Sequence, residues 1–291
     1  MAAQRIDDLR GRVCLVTGTT SGIGRETARG LAQAGASVLM VARDPARGAE
    51  VAAEIRSTSA AGSVEMLTAD LACQADVRAL AGQVRQGHDR LDVLIHNAAA
   101  VNTTRRVTVD GIEATLAVNH LAPFLLTDLL APLLRATPSS RVVTVSSYLH
   151  TRVNNIPWDD LQAEHDYSAD ATYNLTKLMN VLFTYELARR WAGTSVTAKA
   201  LHPGWPVKTN LGREQTGSGA LFDRARKLIG ASAAKGARTS LYLAGSPDIA
   251  AVTRQYFSRC RPAKSSALSH NTAAAERLWA RSAALCGLPA L

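Results

Sequence analysis

Lysine is nearly absent from this sequence. Only six of its 33 basic residues are lysines, and the first of them is Lys177. Where arginine is the default cation, a lysine marks a place that needs a compact, flexible ammonium rather than a planar fork. Aromatic residues are also few, at 5%. They do not interleave with basic runs, and the net charge of +9 comes from scattered arginines. That pattern argues against a nucleic-acid partner and fits a solvated basic surface, or one that receives a small polyanion. Cysteine is scarce. Cys14, Cys73, Cys260 and Cys286 lack metal-ligand spacing, so no metal is expected, and Cys14 lies inside an apolar strand pattern. Free thiols in a reducing compartment are the reading. No long hydrophobic run exists: residues 121–134 are the most apolar stretch, but Pro123, Asp128 and Pro132 interrupt it. It is too short to span a bilayer. Residues 1–11 are polar and charged, which predicts neither a signal peptide nor a membrane anchor. A soluble, cytoplasmic protein is expected.

What is present alternates. Apolar runs at 13–16, 37–42, 64–67, 91–95, 141–145 and 195–201 predict strands, and helical patterns fill 25–34, 45–56, 74–86, 111–134 and 171–191. Strands alternating with helices imply right-handed βαβ units. The expectation is an α/β fold: a single doubly wound parallel sheet with helices on both faces, forming one domain over residues 1–291.

Two stretches carry chemistry. The first strand ends in Thr17-Gly18-Thr19-Thr20-Ser21-Gly22-Ile23-Gly24. Glycines at a strand-to-helix turn let backbone N–H groups approach an anion at a helix N-terminus, where the helix dipole also favours negative charge. The second stretch is Tyr173-Asn174-Leu175-Thr176-Lys177. A tyrosine and a lysine four apart on a helix share one face. An ammonium beside a phenol favours the phenolate and makes it a usable proton donor or acceptor.

With both motifs in order, the sequence resembles the short-chain dehydrogenase/reductase family over nearly its whole length. Thr17 to Gly24 matches the family's Thr-Gly-x-x-x-Gly-x-Gly turn, and His96-Asn97-Ala98-Ala99 resembles its Asn-Asn-Ala-Gly segment. Ser146-Ser147 closes the fifth strand, Tyr173-x-x-x-Lys177 follows, and His202-Pro203-Gly204 ends the sixth. The resemblance implies the Rossmann fold and the roles that go with it. Tyr173 would act as general acid or base, and Lys177 would lower its pKa and bind the nicotinamide ribose. Ser147 would hydrogen-bond the substrate oxygen, and Asn119 would support a proton relay. Gly18, Thr20, Ser21, Gly22, Ile23, Gly24, Asp70, Leu71, Asn97, Ala98, Tyr173, Lys177, Pro203, Gly204, Val207 and Thr209 would contact the cofactor. Members that prefer NAD carry an acid at the end of the second strand, whereas this chain reads Ala42-Arg43. Arg43 is therefore expected to hold the 2′-phosphate of NADP(H), helped by Thr20 or Ser21; the plainer alternative is a salt bridge to Asp44.

Within the family, Ser146-Ser147-x-x-His150, Asn174, Asn180 and Arg277-Leu278-Trp279 look like the retinol-dehydrogenase and carbonyl-reductase subgroup. The stretch between Ser147 and Tyr173 is longer than in compact members, and its polar residues 152–168 predict a surface flap beside the substrate opening. Two departures stand out. Ala99 replaces the usual glycine, and Trp205-Pro206 makes the segment after Gly204 one residue longer. Val207 and Thr209 are expected to keep the carboxamide, with Trp205 facing substrate and residues 207–232 forming a lid. The expected activity is NADPH-dependent reduction or oxidation of a ketone or alcohol on a hydrophobic or polycyclic molecule. The alanine- and arginine-heavy composition suggests a GC-rich bacterial genome, where enzymes of the family that this chain resembles often serve secondary metabolism. Double-bond reduction, epimerisation or dehydration on the same fold is the alternative, and a non-catalytic nucleotide-binding scaffold the third. Monomer and homodimer are both open.

Overall fold

The computed structural model describes residues 7–59, 61–204 and 232–289. Strands β1 (Val13–Thr17), β2 (Ser37–Ala42), β3 (Ser63–Thr68), β4 (Val93–His96), β5 (Arg141–Val145), β6 (Thr197–His202), β7 (Gln255–Ser258) and β8 (Arg261–Pro262) form one sheet. Its order is β3-β2-β1-β4-β5-β6-β7-β8. All neighbours pair in parallel except β8, which runs antiparallel to β7. The chain starts in the middle, winds out to β3, crosses back to β4 and winds the other way. The switch point between β1 and β4 is where open sheets of this kind receive ligands. The expected doubly wound α/β fold is present. The two strands that sequence patterning missed, β7 and β8, are too short to show a period.

Both faces of the sheet are covered, which is why its strands read as continuous apolar runs. Val13, Leu15, Leu39 and Val41 turn to one side, into a core shared with α3 (Gln74–Gly87). The same core takes side chains from α5 (Ala122–Leu129), α7 (Ala169–Arg190) and α9 (Thr272–Leu285). Cys14, Val16, Val38 and Met40 turn to the other side, against α1 (Gly22–Gln33), α2 (Pro45–Thr58) and α8 (Ala233–Gly245). No disulfide joins the described cysteines, and burial pushes Cys14 and Cys286 up to about 12.

Two expectations need correction. Residues 111–134 do not form one helix but break into α4 (Ala114–Leu116), a π-turn at Ala117–Leu121, α5, and α6 (Ala131–Ala136). Pro123 and Pro132 each fall in the first turn of a new helix, where a missing N–H is tolerated but the preceding i→i−4 ladder must end. Buried Glu113 starts the series: its two carboxylate oxygens accept from Thr115 N–H at 2.9 Å and Leu116 N–H at 2.7 Å. The stretch 152–168 lies at the surface, but as an anchored segment rather than a free flap. Ile156 belongs to the core, and Trp158 packs against it with the Arg277 guanidinium 4.5 Å from its ring centre. Tyr167 donates to the Asn102 carbonyl at 2.8 Å, and Gln162 accepts from Glu113 N–H at 3.0 Å.

Helix α7 is covered on nearly every side, with every residue from 175 to 187 buried, the polar Thr176, Lys177, Asn180, Thr184 and Glu186 among them. On the side away from the sheet lies α9. Its Trp279 meets Phe124 edge-on at 4.9 Å and stacks on Phe183 at 6.0 Å, with the Arg190 guanidinium 4.6 Å from its ring centre. His120 Nε2 and Ser282 Oγ, 2.8 Å apart, tie the same surfaces together. No helix among the described residues is long and apolar enough to cross a membrane. Truncating Trp279 removes this packing: Trp279→Ala should lower unfolding free energy by about 3–5 kcal/mol in a urea titration. Trp279→Phe should cost much less, because the indole N–H it deletes is buried without an acceptor.

Candidate active site

The glycine turn is shaped by close approach. A side chain at Gly18, whose φ is 72°, would come within 2.8 Å of the Ala98 Cα, and one at Gly24 within 2.2 Å of the Gly18 oxygen. Asn97 explains the tightness. Its Nδ2 donates to the carbonyls of Thr17 at 2.9 Å and Gly18 at 3.2 Å. The N–H groups of Asn97 and Ala98 in turn donate to Thr17 Oγ1 at 3.0 and 3.1 Å. The ends of β1 and β4 are thereby knotted at the switch point. Helix α1 begins at Gly22, and its N-cap residue Ser21 makes no side-chain cap. Its first-turn N–H groups therefore lack that partner, the usual state of a helix N-terminus that binds anions.

Beside this turn β2 ends at Ala42, and Arg43 is exposed, with no ion-pair partner among the described residues. Asp44 does not pair with it. Its side chain is the N-cap of α2, accepting from Arg47 N–H at 3.1 Å. Arg47, in the first turn of α2, becomes a second cation next to the cleft.

The other end is built where β5 meets α7. Ser146 Oγ donates to the Lys177 carbonyl at 2.7 Å, and Lys177 Nζ donates to the Val145 carbonyl at 3.1 Å. Lys177 is 1% exposed, and burial pushes its ammonium down to about 8. The ammonium lies 5.4 Å from the centre of the Tyr173 ring. Ser147 Oγ accepts from Leu149 N–H at 3.2 Å, capping the short helix Tyr148–Arg152. Its carbonyl accepts from His150 Nδ1 at 2.6 Å, while His150 Nε2 accepts from Ser266 N–H at 3.1 Å. Burial holds His150 below the usual histidine range, consistent with the neutral tautomer that these two partners require.

A single cavity of about 580 Å³ joins the two ends. Gly18, Thr20, Ser21, Gly22, Ile23, Gly24, Arg43, Asp70, Leu71, Asn97, Ala98, Ser147, Tyr173, Lys177, Pro203 and Gly204 all line it. Asn119 does not. It is fully buried in the π-turn, accepting from Ala100 N–H at 2.7 Å and donating to the Ala100 carbonyl at 2.9 Å and Thr176 Oγ1 at 3.1 Å. Thr176 Oγ1 in turn donates to the Tyr173 carbonyl at 2.8 Å, so Asn119 braces the turn that carries Tyr173. Ala99, the departure from glycine, is part of the wall. Val207, Thr209, Trp205 and the lid segment up to residue 231 lie outside the described residues. Arg47, Val118, Tyr148 and His202 line the cavity without having been foreseen as contacts. Nothing in the residue types of Val118 or Tyr148 marks them.

A sequence profile described as short chain dehydrogenase matches residues 12–218. The chain belongs to that family. It is 39% identical to human retinol dehydrogenase 14 over 296 residues, covering 96% of this chain and 88% of the relative. Among solved structures, it is similar to an uncharacterised protein from Mycobacterium paratuberculosis. There the TM-score is 0.79 and the identity 33%, covering 98% of this chain and 97% of that one. The RhlG/NADP active-site complex of Pseudomonas aeruginosa is similar at TM-score 0.68 and 26% identity, covering 86% and 95%. The chain is thus an alcohol/carbonyl oxidoreductase of the retinol-dehydrogenase-like subgroup, in a family that uses a nicotinamide cofactor.

The residues present fit such a dinucleotide. Glycine occupies the positions where a side chain would fill the turn, the first helix is uncapped beside it, and the far end of the cavity carries a buried cation. The tightest of these positions gives a test. Gly24→Ala must displace both the Gly18 carbonyl and the Asn97 amide. It should lower thermal stability by about 1–3 kcal/mol and weaken cofactor binding in a nicotinamide-fluorescence titration.

Proposed function

We propose that this protein is an NADPH-dependent reductase of a carbonyl carried by a hydrophobic or polycyclic small molecule, with Ser147, Tyr173 and Lys177 performing the proton chemistry. The observation that carries the proposal is the desolvated Lys177 ammonium, held against the Tyr173 ring in the cavity that Ser147 also lines. A reduced nicotinamide, when bound, supplies the hydride; the rest is the work of the chain's own groups. Ser147 Oγ already accepts from Leu149 N–H, so its own hydrogen is free to donate to the substrate oxygen and polarise the carbonyl. As negative charge grows on that oxygen, Tyr173 hands over its phenolic proton. The nearby ammonium stabilises the phenolate left behind, in surroundings where charges are weakly screened. Alcohol oxidation reverses each transfer. Asn119 contributes from behind. Pro123, four residues on, has no N–H to give its carbonyl, so that oxygen escapes the ordinary helical ladder and is suited to a relay through water.

The NADP reading rests on Arg43. It lines the cavity after the neutral Ala42, and its acidic neighbour is committed to capping α2. Arg47 adds a second cation, and the NADP complex of the similar RhlG is consistent with it. Residues 1–291 are read as one domain, with residues 207–232 as its lid.

Two measurements test this reading. Tyr173→Phe should reduce turnover of a ketone substrate by roughly 10²–10⁴-fold while leaving cofactor affinity nearly unchanged; full turnover in the variant removes Tyr173 from the mechanism. In fluorescence titrations the wild type should bind NADPH more tightly than NADH by at least about tenfold, the scale of a charge-assisted phosphate contact. Arg43→Ala should erase most of that difference. Equal binding of the two cofactors by the wild type would refute the NADP assignment.

A further inference from the structure

Next to the cofactor cleft lies a second cavity of about 410 Å³, lined by Tyr148, Leu149, Arg152, His202, Ser258 and Arg259. Tyr148 and His202 line both cavities, so the second opens off the first near Ser147. Register explains why these residues meet. His202 ends β6 and pairs with Ser258 at the end of β7, on the edge of the sheet that also carries Ser147.

The polar groups of this cavity are nearly all hydrogen-bond donors. Arg152 and Arg259 are exposed, neither has an acidic partner among the described residues, and no aspartate or glutamate is in the described lining. His202 Nδ1 accepts from Gly204 N–H at 3.2 Å. Burial, with smaller contributions from His150 and Arg259, pushes His202 down to about 4. The neutral ring therefore carries its hydrogen on Nε2 and is a donor.

Arg259 also sits in an unusual place. Ser258 and Arg261 pair across the two-residue turn Arg259-Cys260, and both central residues are left-handed, with φ of 49° and 60°. Two-residue hairpin turns with positive φ at both positions ordinarily use Asn-Gly or similar pairs, because side chains with a Cβ are strained there. Here the turn is held by Cys260, which is buried and whose N–H donates to Thr239 Oγ1 at 3.2 Å. Burial of Cys260 accounts for the turn's position but not for an arginine before it. Strain retained beside a cavity is a pointer to function.

We propose that this second cavity is an anion subsite, and that the substrate is a carbonyl compound bearing a carboxylate or phosphate group that docks on Arg152 and Arg259. The proposal rests on the reading of Ser147 and Tyr173 as the reacting end, since it gives that same substrate a second anchor. Guanidinium groups bind such anions in a bidentate fork. The apolar part of the molecule would lie over Tyr148 and Leu149.

The probes are para-carboxybenzaldehyde, its methyl ester, and para-formylphenyl phosphate. Binding is measured by calorimetry on protein saturated with NADP⁺, so that no reduction takes place, and reduction is then followed separately with NADPH. The variant is Arg152→Gln with Arg259→Asn, since asparagine tolerates positive φ. The wild type should bind at least one anionic probe about tenfold or more tightly than the ester, as expected for a charge-assisted contact, and the variant should lose that preference while binding the ester as before. Preference for the acid or for the phosphate names the source of the anion. Equal binding of ester and anions by the wild type, or a preference that survives in the variant, overturns the subsite. Binding preference without turnover of any probe would keep the subsite and count against the proposed reacting end.

Discussion

One buried charge fixes the geometry of the cleft. Lys177 leaves α7 toward the end of β5, where the Val145 carbonyl takes its ammonium, and Ser146 answers by donating to the Lys177 carbonyl. The two bonds cross-tie strand and helix where Ser147 and Tyr173 leave them. Burial disfavours the charged form, as the lowered pKa shows, and a desolvated ammonium is a cost that the folded chain must offset elsewhere. The completely buried stretch of α7 around it supplies that offset. The same absence of water that makes the charge costly makes its field effective at Tyr173. Burial alone does not make a lysine functional, however. Lys199 is just as buried and pushed to about 7, yet its Nζ donates to Thr197 Oγ1 at 2.7 Å and the residue lies outside the cleft wall.

The sequence was most readable where local chemistry dictates structure. Gly18 and Gly24 are glycines because neighbouring atoms leave no room for a Cβ, so the turn could be read directly from residue type. Tyr173 and Lys177 were readable because a helical spacing and a scarce residue coincide. Tertiary choices were harder to see. Residues 111–134 have one helical pattern, yet two prolines and Glu113 divide it. The polar stretch 152–168 does lie at the surface, but Ile156 anchors it in the core and half-buried Trp158 packs against that core, contacts that its polar composition does not reveal. Arg47 and His150 act through partners far away in sequence or through a helix whose phase had to be known first. His150, for example, links Ser147 to Ser266.

The sheet's organisation explains why so many separate segments reach one cavity. Parallel strands direct all their carboxyl ends to the same edge, and the reversal at β1 and β4 opens a crevice there. Asn97 ties that crevice shut at its base by bonding across it to Thr17 and Gly18. Its side chain is thereby spent on the protein's own backbone. Asn119 is spent in the same way on Ala100 and Thr176. The asparagines set the walls, and the hydroxyl, phenol and ammonium groups face the space between them.

Helix α9 covers the outer side of α7 with Trp279, and Ser282 bonds His120 beneath it. Because this cover is covalently attached, it competes for that surface at the high effective concentration of any tethered segment. A second molecule approaching along α5 and α7 would have to displace Trp279 from Phe124 and Phe183 before touching them. The chain thus covers that part of α5 and α7 with its own last helix.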